Sequence, residues 1–293
     1  MVDISFSFNL LSDLQVMWQY DFMQHAFEAG TIVAIIAGIV GYFVVLRRSS
    51  FAAHALSHIG FAGAAGAVLI GVDPIIGLLL FTSGGGITIG LLGRRAASRD
   101  IQIGTVLAFM LGLGVLFISL YSGYATEAYS ILFGEILGIS GNDVLVTLVA
   151  SLVILLLTAV VYRPLLFASL DEDVAEAKGL PTLLLGVIFM LLVAVATSIS
   201  VQVVGVLLIF ALMVTPAAIA QRLAKRPPHA IMLSVFIALI ATWIGLFVSF
   251  YEPYPVSFFI TTIVFSIYLI TLIFQKINTS FISKRLFRFG NKG

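Results

Sequence analysis

The feature that most constrains this chain is a series of apolar runs, each about 20 residues long, that recur from Thr31 to Lys276. About 20 residues of α-helix cross the hydrocarbon core of a bilayer, which is roughly 30 Å thick. Apolar residues make up 61% of the 293 residues and charged residues only 10%, against about 45–50% and about 25% in soluble domains. The sequence therefore excludes a soluble globule and predicts an all-α bundle of transmembrane helices.

Nine apolar runs are long enough to be candidate spans when they are bounded by charges, glycine or proline. They are 27–46, 54–72, 74–93, 101–121, 143–166, 181–200, 203–222, 229–251 and 255–276. Only Gln202 and its neighbours separate 181–200 from 203–222. Eight spans with one broken or re-entrant segment are therefore an alternative to nine. Pro216 removes one backbone hydrogen bond and is predicted to kink its span.

The other segments flank this core. Met1 to Phe22 mixes apolar residues with acids, which is typical of a helix lying along the membrane interface. No basic residue precedes Arg47, so a cleaved signal peptide is not expected. The run from Ala128 to Ser140 is too short to cross and is predicted to be a re-entrant or interfacial helix. We expect an interfacial segment over 1–26, a transmembrane domain over 27–276 and a basic cytoplasmic tail over 277–293.

The charges predict the orientation of the chain. Lys and Arg are retained on the cytoplasmic side of a membrane, whereas acids discriminate poorly. If the amino end is external, the nine spans place all fifteen Lys and Arg residues at the cytoplasmic end. The external end then carries acids, namely the amino-terminal aspartates, Glu28, Asp73, Glu127, Asp143 and Glu252. This one-sided distribution supports the predicted order of the spans.

Several functions are excluded by what the sequence lacks. It has no cysteine, so disulfides, thiolate ligands and a cysteine nucleophile are absent. Neither a G-x-x-x-x-G-K-[ST] loop nor an H-E-x-x-H or G-x-S-x-G motif occurs, so the chain is expected to be neither an ATPase nor another enzyme. With a net charge of +1, it offers no field that recruits nucleic acid. No permanently bound cofactor is expected.

Two histidines lie in the second apolar run, in the stretch FAAHALSHIGFAG. His54 and His58 are four residues apart, so on a helix their β-carbons lie about 5–6 Å apart on one face, which suits two ligands of one metal ion. At about 1.5 Å per residue, His58 lies about 15 Å beyond Arg48, near the middle of a bilayer. Ionisable groups at this depth are costly and mark transport paths. The structural alternative is a pair of neutral imidazoles bonded to backbone carbonyls of neighbouring helices.

Four further residues are candidates for an external vestibule: His25, Glu28, Glu135 and Asp143. His25 and Glu28 have a ligand-compatible spacing of three residues, although simple exposure at the end of a span explains them as well. Glu135 lies in the short apolar run and Asp143 begins the fifth span. For each of these two acids, the alternatives are that it lines the vestibule or that it marks the membrane interface.

The loop FASLDEDVAEAKGL, residues 167–180, is predicted to form a short helix parallel to the membrane. Ser169 is suited to cap this helix, acids occupy its first turn, and Gly179 is suited to end it. The helix is either a capped connector or a docking element whose apolar residues enter a groove on a cytosolic partner. Its residues are Asp171, Glu172, Asp173, Val174, Ala175, Glu176, Ala177, Lys178 and Gly179, of which Val174, Ala175 and Ala177 are the apolar positions.

Four stretches of the chain resemble, in the same order, the permease subunits of ABC importers for zinc, manganese or iron. They are LRRSSFAAHALSHIGFAG, RDIQIGTVLAFMLGLGVLF, DEDVAEAKGLP and VVGVLLIFALMVTPAAIA. The resemblance implies a vitamin-B12-type importer fold. In that family the second span carries an aspartate and, four residues later, a histidine on the metal path; His58 matches the histidine, whereas His54 stands at the aspartate position. Two imidazoles suit zinc or another borderline ion, whereas the Asp/His pair also suits manganese.

The resemblance also implies a function and partners. It indicates the permease of an ATP-driven importer for divalent transition-metal ions, working by alternating access in the bacterial cell membrane (plasma or inner membrane). Residues 171–179 match the family's coupling helix, which sits in a cleft of a separate ATPase. The implied partners are that ATPase, an extracytoplasmic metal-binding protein and a second copy of the permease in a homodimer. An ion-coupled secondary metal transporter or channel is the alternative class, because it would show the same histidine pair.

Overall fold

The computed structural model of the chain describes residues 10–92, 96–121, 134, 136–252 and 254–289. Within these residues the chain forms ten helices and no strand. The helices are α1 (Leu10–Met17), α2 (Asp21–Leu46), α3 (Ser50–Leu69), α4 (Pro74–Leu91), α5 (Ala96–Leu120), α6 (Gly141–Leu170), α7 (Glu172–Ala177), α8 (Thr182–Leu223), α9 (Pro227–Tyr251) and α10 (Val256–Phe289). The all-α fold class is confirmed.

Eight of the described helices, all except α1 and α7, are long and apolar enough to cross a membrane. Each coincides with a predicted span, and the two predicted spans 181–200 and 203–222 are both parts of α8. Polar caps define several helix starts, where backbone N–H groups lack partners within the helix. Asp73 accepts a hydrogen bond of 2.9 Å from the Ile75 N–H at the start of α4. Ser140 and Asp143 form a reciprocal capping box at the start of α6.

Helix α8 is 42 residues long and is broken at Gly205, whose dihedral angles are φ 81° and ψ 164°. We name its two parts the first arm (182–204) and the second arm (206–223). Phe189 of the first arm and Gln221 of the second arm both lie beside the carboxyl-terminal end of α2. The Phe189 ring centre is 5.3 Å from the guanidinium carbon of Arg47, and Gln221 donates a 2.8 Å hydrogen bond to the Tyr42 carbonyl oxygen.

The elbow of α8 lies at the other end of the bundle. Just before it, Gln202 donates a hydrogen bond of 3.3 Å to Asp143 at the start of α6. At about 1.5 Å per residue the arms are about 34 Å and about 27 Å long, close to the thickness of a bilayer core. Eight long helices therefore supply nine membrane-length segments, because the two arms of α8 correspond to the two predicted spans 181–200 and 203–222 and are joined at a break.

The segments outside the bundle are described only in part. Helix α1 precedes α2, which begins at Asp21. Around this junction the aromatic side chains of Trp18, Tyr20 and Phe22 are exposed, as is typical of a membrane interface. Of the predicted re-entrant helix over Ala128 to Ser140, residues 128–133 and 135 lie outside the described residues. Residues 136–140 form turns and irregular structure.

Gly205 is expected to be essential for the elbow. Its backbone conformation belongs to a region that is nearly exclusive to glycine, so Gly205→Ala should destabilise the folded permease by about 1–3 kcal/mol. Thermal unfolding of the purified protein in detergent measures this loss. Gly112→Ala is the matched control, because a Cβ at Gly112 would meet no atom within 4 Å. Equal midpoints for the two variants would contradict a strained elbow.

Candidate metal site and coupling helix

His54 and His58 lie on one face of α3, as their spacing predicts. Their ring centres are 4.6 Å apart and the ring planes are nearly perpendicular, at 84°. Both Nδ1 atoms are buried and have no hydrogen-bond partner. Neutral imidazole nitrogens are common ligands of transition metals. In the structural alternative, the two imidazoles would hydrogen-bond to backbone carbonyls of neighbouring helices. The Nδ1 atoms make no such bond.

The second arm of α8 borders the histidine pair. The Phe210 ring centre is 4.7 Å from that of His54. Both histidines are half-buried, and the neighbouring Phe51 and Leu207 are exposed. The described residues contain no group of three or more His, Cys, Asp or Glu side chains that could hold a metal ion. The pair therefore offers two ligands on a face that is partly open.

The opposite side of α3 is packed closely against α4. Gly63 of α3 and Gly77 of α4 meet backbone to backbone, and a Cβ on either glycine would overlap the carbonyl oxygen of the other. Small residues allow such close approach between membrane helices. This packing orients α3 so that the face carrying the two histidines points away from α4.

Two of the four candidate vestibule residues, His25 and Asp143, lie near the start of α6. The His25 imidazole lies against Gly141, with Nε2 3.3 Å from the position of an added Cβ there. Glu28 is exposed, and Glu135 lies outside the described residues. Asp143 accepts hydrogen bonds from the Ser140 N–H at 3.1 Å and from the Ser140 hydroxyl at 2.6 Å, in addition to the bond from Gln202. Asp143 therefore caps α6 and holds the elbow of α8.

Helix α7 occupies the predicted loop, but Ser169 is not its cap. Asp171 is the N-cap, and its side chain accepts a 3.0 Å hydrogen bond from the Val174 N–H. Ser169 instead donates to the Leu165 carbonyl oxygen and accepts a 3.3 Å hydrogen bond from Arg47. This correction has a simple reason: Ser169 is still inside α6, which ends at Leu170.

Gly179 ends α7 as predicted, with φ 79° and a 3.1 Å hydrogen bond from the Leu180 N–H to the Ala175 carbonyl oxygen. Ala175 itself has an exposed fraction of 0% and packs against Ala168 and Leu185. The prediction that Ala175 enters a partner's groove is therefore wrong. The outward face carries the exposed side chains of Asp173, Val174, Glu176, Ala177 and Lys178.

The bundle with its broken helix and short surface helix has the architecture of a polytopic membrane permease. The sequence model of the ABC 3 transport family matches residues 19–275, and the chain belongs to this family. It is a multi-pass permease subunit of the metal-ion ABC importer class, in the bacterial inner membrane.

Individual relatives agree with this assignment. The manganese transport system membrane protein MntC of Listeria innocua is 32% identical over 238 residues, which cover 81% of this chain and 85% of that protein. The manganese import system permease protein ScaB of Streptococcus gordonii is 30% identical, with the same coverage of 81% and 85%.

A solved structure, PsaBC from Streptococcus pneumoniae in complex with Fab, superposes with a TM-score of 0.80 at 30% identity, covering 89% of this chain and 95% of that chain. A chain described as a metal-chelate type ABC transporter in an inward-facing conformation has a TM-score of 0.71 at 15% identity, covering 92% of this chain and 91% of that one. The second likeness concerns the fold alone.

Proposed function

We propose that this chain is the membrane subunit of an ATP-driven importer for a divalent transition-metal ion, and that His54 and His58 contact the ion in transit. The carrying observation is the pair of half-buried imidazoles that meet on one partly open face of α3. Neutral imidazole is a common ligand of transition-metal ions, and the pair brings two such groups to one place. The manganese transport named for the relatives supports the class of substrate.

The donor set bears on which ion is carried. Imidazole nitrogen suits zinc and other borderline ions, whereas manganese prefers oxygen ligands. The candidate ions are therefore zinc and manganese. The two imidazoles favour zinc, whereas the manganese transport named for the relatives favours manganese. Two ligands bind weakly enough to release the ion, and a second permease copy facing the open side of α3 would complete the ligand set.

The exposed face of α7 is the proposed docking surface for a separate ATPase. Val174 is 44% exposed, and the surrounding acids are suited to meet cations on the partner. The buried Ala175 fixes α7 to its own bundle, so force on the exposed face would reach α6 and α8. In this mechanism, ATPase closure moves α7 and switches the path between the two copies from outward to inward opening. An extracytoplasmic binding protein would deliver the ion.

Uptake into proteoliposomes tests this function against an ion-coupled secondary transporter. The permease is reconstituted with its co-purified ATPase, and radioactive manganese or zinc is offered with the binding protein. We expect uptake that requires ATP, stops when the ATPase is inactivated, and is inhibited by competition between the two metals. Uptake that is driven by an ion gradient without ATP would exclude the proposal.

A second test measures the orientation of the chain in the membrane. Single cysteines can be introduced for this purpose, because the chain has no natural cysteine. Asn142 and Asp173 are both exposed, one at the start of α6 and the other on α7. We expect Asn142→Cys to react with an impermeant thiol reagent in intact cells and Asp173→Cys to react only after permeabilisation, because the positive charges place α7 inside. The reverse pattern would contradict ATPase docking on α7.

A further inference from the structure

Arg47 ends α2 and contacts two other elements at once. Its guanidinium donates a 3.3 Å hydrogen bond to the Ser169 hydroxyl in the last turn of α6. The guanidinium carbon also lies 5.3 Å from the ring centre of Phe189 in the first arm of α8, within the range of a cation–π interaction. The half-buried Arg47 side chain therefore joins α2 to both α6 and α8.

Those two elements are the ones that hold α7. Ala175 packs against Ala168 at the end of α6 and Leu185 at the start of α8. We name the unit formed by the end of α6, α7 and the start of α8, residues 165–189, the coupling corner. Ser169 and Phe189 both belong to it, so Arg47 contacts the unit that would receive force from an ATPase.

A cleft of about 900 Å³ is lined by Arg47 and Ser49 of the turn after α2 and by Ser169 of the coupling corner. The end of α4 packs directly on the corner, since a Cβ on Gly90 would lie 2.7 Å from the Cα of Val187. Protein interiors are otherwise close-packed and transmit displacement through direct contact. The corner therefore has room to move relative to α2, and the Arg47 side chain reaches across this space.

The turn that follows Arg47 is short and well fixed. Only residues 47–49 separate α2 from α3. Ser49 is buried, its N–H donates to the Val44 carbonyl oxygen at 2.8 Å, and its hydroxyl donates to the Arg47 carbonyl oxygen at 3.2 Å. A displacement of Arg47 is thus passed to the start of α3, the helix that carries His54 and His58.

We propose that Arg47 is a positioning residue that transmits movement of the coupling corner to α3 and so to the histidine pair. The inference rests on the proposed functions of α7 and of the histidine pair. It assigns to Arg47 a role in coupling ATP hydrolysis to transport, distinct from binding the ion or the ATPase.

The test is the number of metal ions taken up per ATP hydrolysed by the permease–ATPase complex in proteoliposomes. Arg47→Lys keeps the charge but loses the planar group that stacks on Phe189 and donates in a fixed direction. We expect this ratio to fall by at least about fivefold, with unchanged complex assembly and unchanged basal ATP hydrolysis. Arg48→Lys is the matched control, because the neighbouring Arg48 is exposed and undergoes the same substitution.

A double-mutant cycle separates coupling from general stability. Phe189→Leu should lower the same ratio, and the double variant should be no worse than Arg47→Lys alone, because both changes remove one contact. The inference would be overturned if Arg47→Lys left the number of ions taken up per ATP unchanged. It would also be overturned if the losses of the two single variants added in the double variant and followed their thermal stability.

These results are distinguishable from failure of the proposed function. If the wild type shows no ATP-driven uptake, the proposed function fails. If wild-type uptake requires ATP and Arg47→Lys behaves like the wild type, only the role of Arg47 fails.

Discussion

Replacement of His58 by alanine is expected to abolish metal uptake while the permease still assembles with its ATPase. The imidazole would be lost from a position that the sequence predicts to be near the middle of the membrane, where the described chain offers only one other nearby ligand. Loss of groups that merely support a metal ligand costs about 10–100-fold, so loss of the ligand itself should reduce uptake by more than about tenfold. Uptake of radioactive metal at matched expression measures the effect.

His229→Ala is the control for this prediction, because His229 is exposed at the start of α9. His54→Asp adds an informative variant: it should retain transport and shift preference toward manganese, since a carboxylate is the harder ligand. If a folded double variant with His54→Ala and His58→Ala takes up metal like the wild type, the two histidines serve packing and not transport.

The second large effect is expected on the exposed face of α7. Val174→Trp should reduce co-purification of the ATPase by more than about tenfold, because bulk at the centre of an interface disrupts its best-packed contacts. The thermal midpoint of the permease should not change, since Val174 points away from its own bundle. Ala159→Trp, at an exposed position on α6, is the control for added bulk.

The adjacent residue gives the contrasting result. Ala175 is fully buried, so Ala175→Trp should overpack the coupling corner and destabilise the permease by about 1–3 kcal/mol. If Val174→Trp leaves ATPase binding and transport intact, α7 is a connector and not a docking element.

The membrane helices were predictable because about 20 consecutive apolar residues have few alternatives to spanning a bilayer. Their starts were less predictable. The span predicted to start at 27 begins at Asp21, because the first turns of a membrane helix tolerate polar residues such as His25 at the interface. Hydropathy marks the lipid-facing part of a helix and not its hydrogen-bonded ends.

The interruption in α8 shows a different limit. A short polar gap at Gln202 indicated a break, and Pro216 was the residue with the clearest reason to disturb a helix. The structure breaks the helix at Gly205 and keeps Pro216 inside the second arm. Glycine occurs throughout these spans for packing, so its identity alone does not reveal which one adopts a positive φ.

The histidine pair was predictable because its two members share one helix. Phe210, which lies beside His54, carries no such signal, since it is one apolar residue among many in a distant apolar run. The contact of Arg47 with Phe189 likewise depends on how three helix ends meet. Contacts between distant segments are set by tertiary packing, which local spacing does not encode.

X-ray absorption of the zinc-loaded permease tests the central claim most directly. The chain has four histidines, so a variant with His25→Ala and His229→Ala leaves only His54 and His58 as imidazole ligands. We expect scattering from imidazole nitrogens at about 2.0–2.1 Å in this variant, and its loss when His54 and His58 are also replaced by alanine. A metal shell of oxygen atoms alone in the first variant would contradict a metal path past the histidine pair.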